Sequence, residues 1–210
     1  MARPTMEPED RQVRMDAILQ AARRLFLAGD GSLPATAKIA AASGLAKGTL
    51  YLYFRTREEI FIALLLDGLN SLFDEVEGAF GKRKGSRREK VAAFLNVYCD
   101  FATRRTDMLR LDALAYSILE KNVPGETLLQ FKRNFAGRLL QAGAVIETTL
   151  ALDAGRGATL LMRTFALTRG LWPAAECPAR IETQALLHPE FATELKEALT
   201  EYWRGALALR

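Results

Sequence analysis

The residues best suited to chemistry in this 210-residue chain lie close together in the stretch LAKGTLYLYF, Leu45 to Phe54. Lys47 can neutralise a phosphate or donate to a guanine edge, and Thr49 can hydrogen-bond or offer its methyl to thymine. Gly48 has no side chain, so a partner could approach the backbone closely; inside a short helix it costs about 1 kcal/mol relative to alanine, which calls for a reason other than helix stability. Leu50 and Phe54, four apart, can share a core-facing side. Tyr51 and Tyr53 then fall toward the outside, with hydroxyls suited to phosphate. The alternative, in which the tyrosines are half-buried core and Gly48 is merely tolerated, fits the isolated segment equally well.

Positioning such a segment requires a scaffold, and the preceding residues predict one. In RQVRMDAILQAARRLFLA, residues 11–28, Met15, Ile18, Leu19, Ala22, Leu25 and Phe26 recur at helical spacing and form one apolar stripe. GDGSLP breaks the pattern, and a short second helix is expected from about Ala37 to Ala42. Gly44 can supply a left-handed turn before a third helix over Lys47 to Tyr53. Two short helices across a tight glycine turn, packed on a longer first helix, outline a helix-turn-helix.

The remainder also reads as helical. Thr56 with Glu59 and Ser86 with Glu89 have capping-box spacing, and open a fourth helix of about 35 Å and a fifth carrying Val91, Phe94, Leu95, Tyr98 and Ala102. Thr106 or Asp107 can cap a sixth helix running to about Glu120. A seventh carries the stripe Leu128, Phe131, Phe135, Leu139, Ala142 and Ile146. An eighth should stop before Pro173, and a ninth should start at HPEF with Pro189 in its first turn. No strand, repeat or low-complexity tract is evident.

Composition narrows the function. Half of the residues are apolar, about a quarter are charged and the net charge is +4, as in ordinary globular proteins. Cys99 and Cys177 are too few for a disulfide framework or a zinc site. The charged start, and an apolar run IFIALLL that ends at Asp67, predict a cytoplasmic protein without a membrane span. An enzyme finds little support: the one histidine, His188, sits beside Pro189 where capping or exposure explains it, and no phosphate-loop motif occurs. A helical protein-interaction module is the other rival, since apolar grooves also accept partner helices. No metal or cofactor is expected.

From Arg11 to Phe61 the chain resembles the DNA-binding domain of the tetracycline-repressor (TetR) family of bacterial transcriptional regulators. The family signature, approximately IA..AG(V/L)(S/A)KGTLY.YF.(S/T)KE.L(F), stands here as IAAASGLAKGTLYLYFRTREEIF. The resemblance implies an all-α, nine-helix, two-domain protein, with a helix-turn-helix DNA-binding domain over 1–58 and a ligand-binding and dimerisation domain over 59–210. It implies a homodimer on a palindromic double-stranded DNA operator, most often a repressor. By position, Lys47, Gly48, Thr49 and Tyr51 match base-proximal residues, Tyr53 a backbone contact and Arg57 a phosphate grip, with Thr36 a further phosphate candidate. Ala46 and Leu52 depart from the common serine and tyrosine, and Ala35 leaves the second helix without its usual cap.

The resemblance also implies a small-molecule effector between the middle helices. Phe94, Tyr98, Phe101, Leu114, Tyr116, Phe131, Phe135, Met162 and Phe165 are candidates to line its pocket and suggest a hydrophobic or aromatic ligand; ordinary core packing is the alternative for each. Leu160, Leu167, Leu171, Leu199, Tyr202 and Trp203 are candidates for the dimer interface formed by the last two helices, again with internal packing as the alternative. The basic run Lys82 to Lys90 reads as a solvated connection.

Overall fold

The computed structural model describes residues 8–81, 84–176 and 190–208; the side chains of Pro8, Glu9, Tyr116 and 173–176 lie outside that description. The described secondary structure is entirely helical: α1 (Pro8–Ala28), α2 (Thr36–Ala42), α3 (Lys47–Leu50), α4 (Arg57–Gly81), α5 (Arg87–Arg104), α6 (Thr106–Leu114), a π-helical turn (Ala115–Leu119), α7 (Glu120–Asn122), α8 (Gly125–Leu150), α9 (Arg156–Glu176) and α10 (Phe191–Ala206). Because α6, the π turn and α7 run on without a break, the order among the described residues is that of the nine expected helical runs.

The chain divides into two compact units. One holds the residues up to Leu66 together with Leu114–Phe131; the other holds Asp67–Ala113 and the residues from Lys132 onward. The division therefore falls inside α4, at the last residue of α6 and inside α8, whereas the sequence placed its boundary at 58/59, in the first turn of α4.

In the first unit the α1 stripe forms the core: Ile18, Ala22 and Phe26 are buried, and the Phe26 ring lies 5.8 Å from that of Phe61. The α2–α3 turn is closed by Gly44 at φ +71°. Leu45 N–H donates to the Ala40 carbonyl at 2.9 Å and Gly44 N–H to that of Ala41 at 3.2 Å, the paired bonds of a Schellman ending that only a left-handed residue permits at low cost.

In the second unit an aromatic chain fills the space between helices. Phe73 meets Phe135 and Phe165, Phe165 meets Tyr98, and Phe94 joins Tyr98 to Phe80 and Trp203, with centroids 5.0–6.3 Å apart. Its polar atoms are paired: Tyr98 and Thr168 hydroxyls are 2.9 Å apart, and Trp203 Nε1 donates to the Thr164 hydroxyl at 3.0 Å. Where α8 crosses α9, a Cβ added to Gly143 would lie 2.5 Å from Ala158 N, and one added to Gly157 would strike the Gly143 carbonyl. Glycine at both positions lets the backbones touch.

Two expectations are corrected here. α3 ends at Leu50, and Tyr51 to Tyr53 form a tightened turn in which Leu52 N–H donates to Thr49 and Tyr53 N–H to Leu50; four residues without a capping side chain cannot propagate further against the cost of nucleation. α9 passes through Pro173 to Glu176. A proline inside a helix costs about 3 kcal/mol, and in the turn before it Trp172 is buried edge-on against Phe191, with centroids 4.9 Å apart. The start of the last helix at His188 and Pro189 lies outside the described residues; α10 is described from Phe191, with Glu190 as its N-cap.

Candidate nucleic-acid interface

The stretch Leu45–Phe54 has a buried side and an exposed side. Leu50 is 0% exposed and Phe54 5%, while Tyr51 is 43% exposed and Lys47 and Gly48 are open. Nothing lies within 4 Å of the position a Cβ on Gly48 would occupy, and its φ is not left-handed, so no neighbour and no backbone angle in the chain demands glycine there. Thr49 and Tyr53 are half-buried.

The surroundings fix this segment. Ala46 caps α3 without a side-chain bond, and Ala35 likewise for α2, as the departures from the family pattern anticipated. Thr36 stands in the first turn of α2, and its hydroxyl lies 3.4 Å from that of Tyr51, so two residues picked separately as phosphate contacts meet each other. Tyr53 is seated under Arg11 of α1, whose guanidinium carbon is 5.8 Å from the ring centre.

Arg57 is braced within the protein. Its Nη1 donates to the Leu33 carbonyl at 3.2 Å, and its Nε and Nη2 donate to Glu58 at 3.1 and 2.9 Å. The capping box of α4 forms: Thr56 Oγ1 accepts from Glu59 N–H at 3.1 Å, and Glu59 Oε2 accepts from the N–H groups of Arg55 and Thr56. The other carboxylate oxygen of Glu59 accepts from the Thr127 hydroxyl, in the first turn of α8, at 3.0 Å. Sequence reasoning passed over Arg11, Arg55, Lys38 and Thr127. The first three are solvent-exposed cations close in sequence to the segment or its supports; no local pattern marks Thr127, which is 68 positions from its partner.

The candidate pocket residues fall into distinct environments. Phe94, Tyr98, Phe101 and Phe131 are buried, and Leu114, Phe135 and Phe165 are half-buried; the Tyr116 side chain is outside the description. Burial pushes the Tyr98 phenol well above the usual tyrosine range, against the opposing pull of its bond to Thr168, so it stays neutral. Met162 is corrected: at 47% exposure it stands on the outer face of α9 rather than in the interior. Of the candidate interface residues, Leu160, Leu199 and Trp203 are corrected to internal packing, since each is fully buried by its own chain and has no surface left to offer a partner. Leu167, Leu171 and Tyr202 are half-buried. His188 lies outside the described residues. No cluster of three metal-ligating side chains occurs among the described residues, and no helix there is long and apolar enough to cross a membrane.

A helix-turn-helix with an open, glycine-bearing third helix, joined to a larger helical unit, defines a DNA-binding regulator. Residues 18–64 match the family of bacterial regulatory proteins, tetR family, and residues 66–210 match the tetracyclin repressor-like C-terminal domain. The chain belongs to the TetR family of transcriptional regulators, whose members are non-enzymatic DNA-binding proteins.

Among individual proteins, the fatty acid metabolism regulator protein of Bacillus subtilis (strain 168) is 36% identical over 59 residues, which is 28% of this chain and 30% of that one. The match thus spans under a third of the relative's length. A TetR-family transcriptional regulator from Mesorhizobium loti superposes with a TM-score of 0.66 at 17% identity, over 95% of this chain and 97% of the other. The regulator FadR from Bacillus subtilis, solved in complex with stearoyl-CoA, superposes with a TM-score of 0.53 at 18% identity, over 88% and 96%. At these identities the superpositions establish the shared fold.

Proposed function

We propose that this regulator is cytoplasmic, binds a palindromic operator as a homodimer, represses the adjacent gene and is released by a small apolar or aromatic effector held in the second unit. Lys47, Gly48, Thr49 and Tyr51 read the major groove; Thr36 and Tyr53 hold phosphates; Arg57 steadies the start of α4 while its guanidinium edge faces the backbone of the duplex. The observation that carries this reading is the empty space around Gly48 beside an exposed Tyr51, because a glycine that nothing inside the protein requires is explained by a close external partner.

An acyl chain is the first effector class to test. The named ligand of one structural neighbour is stearoyl-CoA, and the interior of the second unit is rich in aromatic side chains. Release requires that effector and DNA prefer different conformations of the protein.

The deciding experiment measures fluorescence anisotropy of the protein's own upstream duplex against scrambled duplex across a salt titration. Specific binding that weakens steeply with salt is expected, since each neutralised phosphate releases counterions. Tyr51→Ala should reduce operator affinity about tenfold, roughly 1.4 kcal/mol, with helicity and dimerisation intact. Equal affinity for operator and scrambled duplex, or collapse of the fold in Tyr51→Ala, would sink the assignment.

A further inference from the structure

Thr148, Thr159 and Thr164 donate their hydroxyls to the carbonyl four residues back in the chain. Thr127 directs its hydroxyl elsewhere. It stands in the first turn of α8, where the residue four back, Val123, precedes the helix, so the hydroxyl is available to another element. The Leu128 N–H closes that turn on the Pro124 carbonyl at 3.0 Å, and Phe131, four residues on along the same face, is buried. With the start of α8 held in this way, the Thr127 hydroxyl donates to Glu59 Oε1 at 3.0 Å, within one compact unit.

Glu59 uses its other oxygen, Oε2, to accept from the backbone N–H groups of Arg55 and Thr56. Those two residues lie between Tyr53 and Arg57. Phe54 is buried on one side of them, and Arg57 is braced on the Leu33 carbonyl on the other. A glutamate side chain has several rotatable bonds, and a carboxylate bonded through one oxygen alone can still turn toward water. A donor on the second oxygen fixes its plane, and bonds to an ionised acceptor are stronger than neutral ones.

We propose that Thr127 is a positioning residue for operator binding: by holding Glu59 it sets the backbone at Arg55 and Thr56, and with it the placement of Tyr53 and Arg57 against the duplex. The inference rests on the reading of Tyr53 and Arg57 as phosphate contacts. Thr127 itself touches no DNA. Loss of its hydroxyl leaves every phosphate-contacting side chain present and releases only the carboxylate, so operator affinity drops while the fold persists.

The test uses the full chain in two arms, with circular dichroism confirming parental helicity in each variant. Without DNA, amide exchange followed by NMR at Arg55 and Thr56 should quicken at least threefold in Thr127→Val and return to the parental rate in Thr127→Ser. With the protein's own upstream duplex, anisotropy should show affinity lowered about fivefold in Thr127→Val and restored in Thr127→Ser. Thr148→Val, the same change in the same helix at a hydroxyl bonded to the Ala144 carbonyl, should leave both readouts unchanged. Glu59→Ala should weaken operator binding at least fivefold, and adding Thr127→Val to it should cost nothing further, as two residues acting through one link require. Parental amide exchange in Thr127→Val, parental operator affinity in that variant, equal effects of the two valine substitutions, or additive losses with Glu59→Ala would each overturn the positioning role. Those results leave the DNA-binding reading intact, whereas a parent chain that fails to prefer operator over scrambled duplex would overturn both.

Discussion

Glycine serves opposite purposes at α3 and at the α8–α9 crossing. Gly143 and Gly157 are demanded from within, because their backbones lie where any side chain would strike the neighbouring helix. Gly48 is demanded by nothing within, because the space beyond it is open. The same residue type is therefore closely packed in one region and open to solvent in the other, and the space a Cβ would occupy tells them apart. The polar groups of the two regions contrast similarly. In the aromatic interior Tyr98 and Trp203 pair with Thr168 and Thr164 in full burial, whereas at the candidate interface Lys47 is exposed and the Tyr51 hydroxyl meets that of Thr36 on an exposed ring.

The hardest test of this contrast is Gly143→Ala. Overpacking a backbone contact should cost about 3 kcal/mol, read as a lowered urea midpoint with an unchanged slope; an unaltered midpoint would mean that the crossing is looser than described. Gly48→Ala should do the reverse. Operator affinity should fall about tenfold, while stability holds or rises by up to ~1 kcal/mol as the helix gains alanine's propensity. A loss of stability with affinity retained would return Gly48 to the interior.

Cys99 sharpens the comparison through pH. Burial pushes its thiol up to about 11 despite the opposing effect of Lys196, so the folded state disfavours the thiolate. The associated stability is present below the ordinary thiol value and is lost as pH rises toward 11. In a Cys177→Ser background, iodoacetamide should modify Cys99 slowly at pH 8 and rapidly once urea unfolds the chain; rapid labelling of the folded protein would show the unit to be open there.

The smallest effect belongs to Glu89. Hydrogen bonds from the backbone and side chain of Ser86 hold its carboxyl below the usual glutamate range, so the cap strengthens α5 above that range and is lost as pH falls through the lowered value. Glu89→Gln should flatten the acid limb of a thermal melting curve, and identical limbs would show that the box contributes nothing measurable.

Periodicity made the helices legible because burial of one stripe is a local property of sequence: Ile18, Ala22 and Phe26, and the two capping boxes, could be read without a partner element. The turn at Gly44 was legible for the same reason. What the sequence hid depends on neighbours. Whether Phe94 lines a cavity or Trp203 a partner surface is decided by which helix lies opposite, and both are enclosed by their own chain. Met162 shows the converse, an apolar residue that its helix turns outward. Pro173 carries a local signal to stop that the continuing helix overrides, and the end of α3 turns on a single missing cap. At the candidate interface the residue types were readable, but the pairing of Thr36 with Tyr51 and of Arg57 with Leu33 required coordinates.

The hydroxyl of Thr127 on the carboxylate of Glu59 bears on where this protein can be cut. The acid that closes the start of α4 is itself steadied by a residue encoded far downstream, and the same compact unit includes Leu114–Phe131. A gene fragment ending at codon 58 would omit both the acid and its distant support, whereas one that keeps this unit whole draws on two separated stretches of the message.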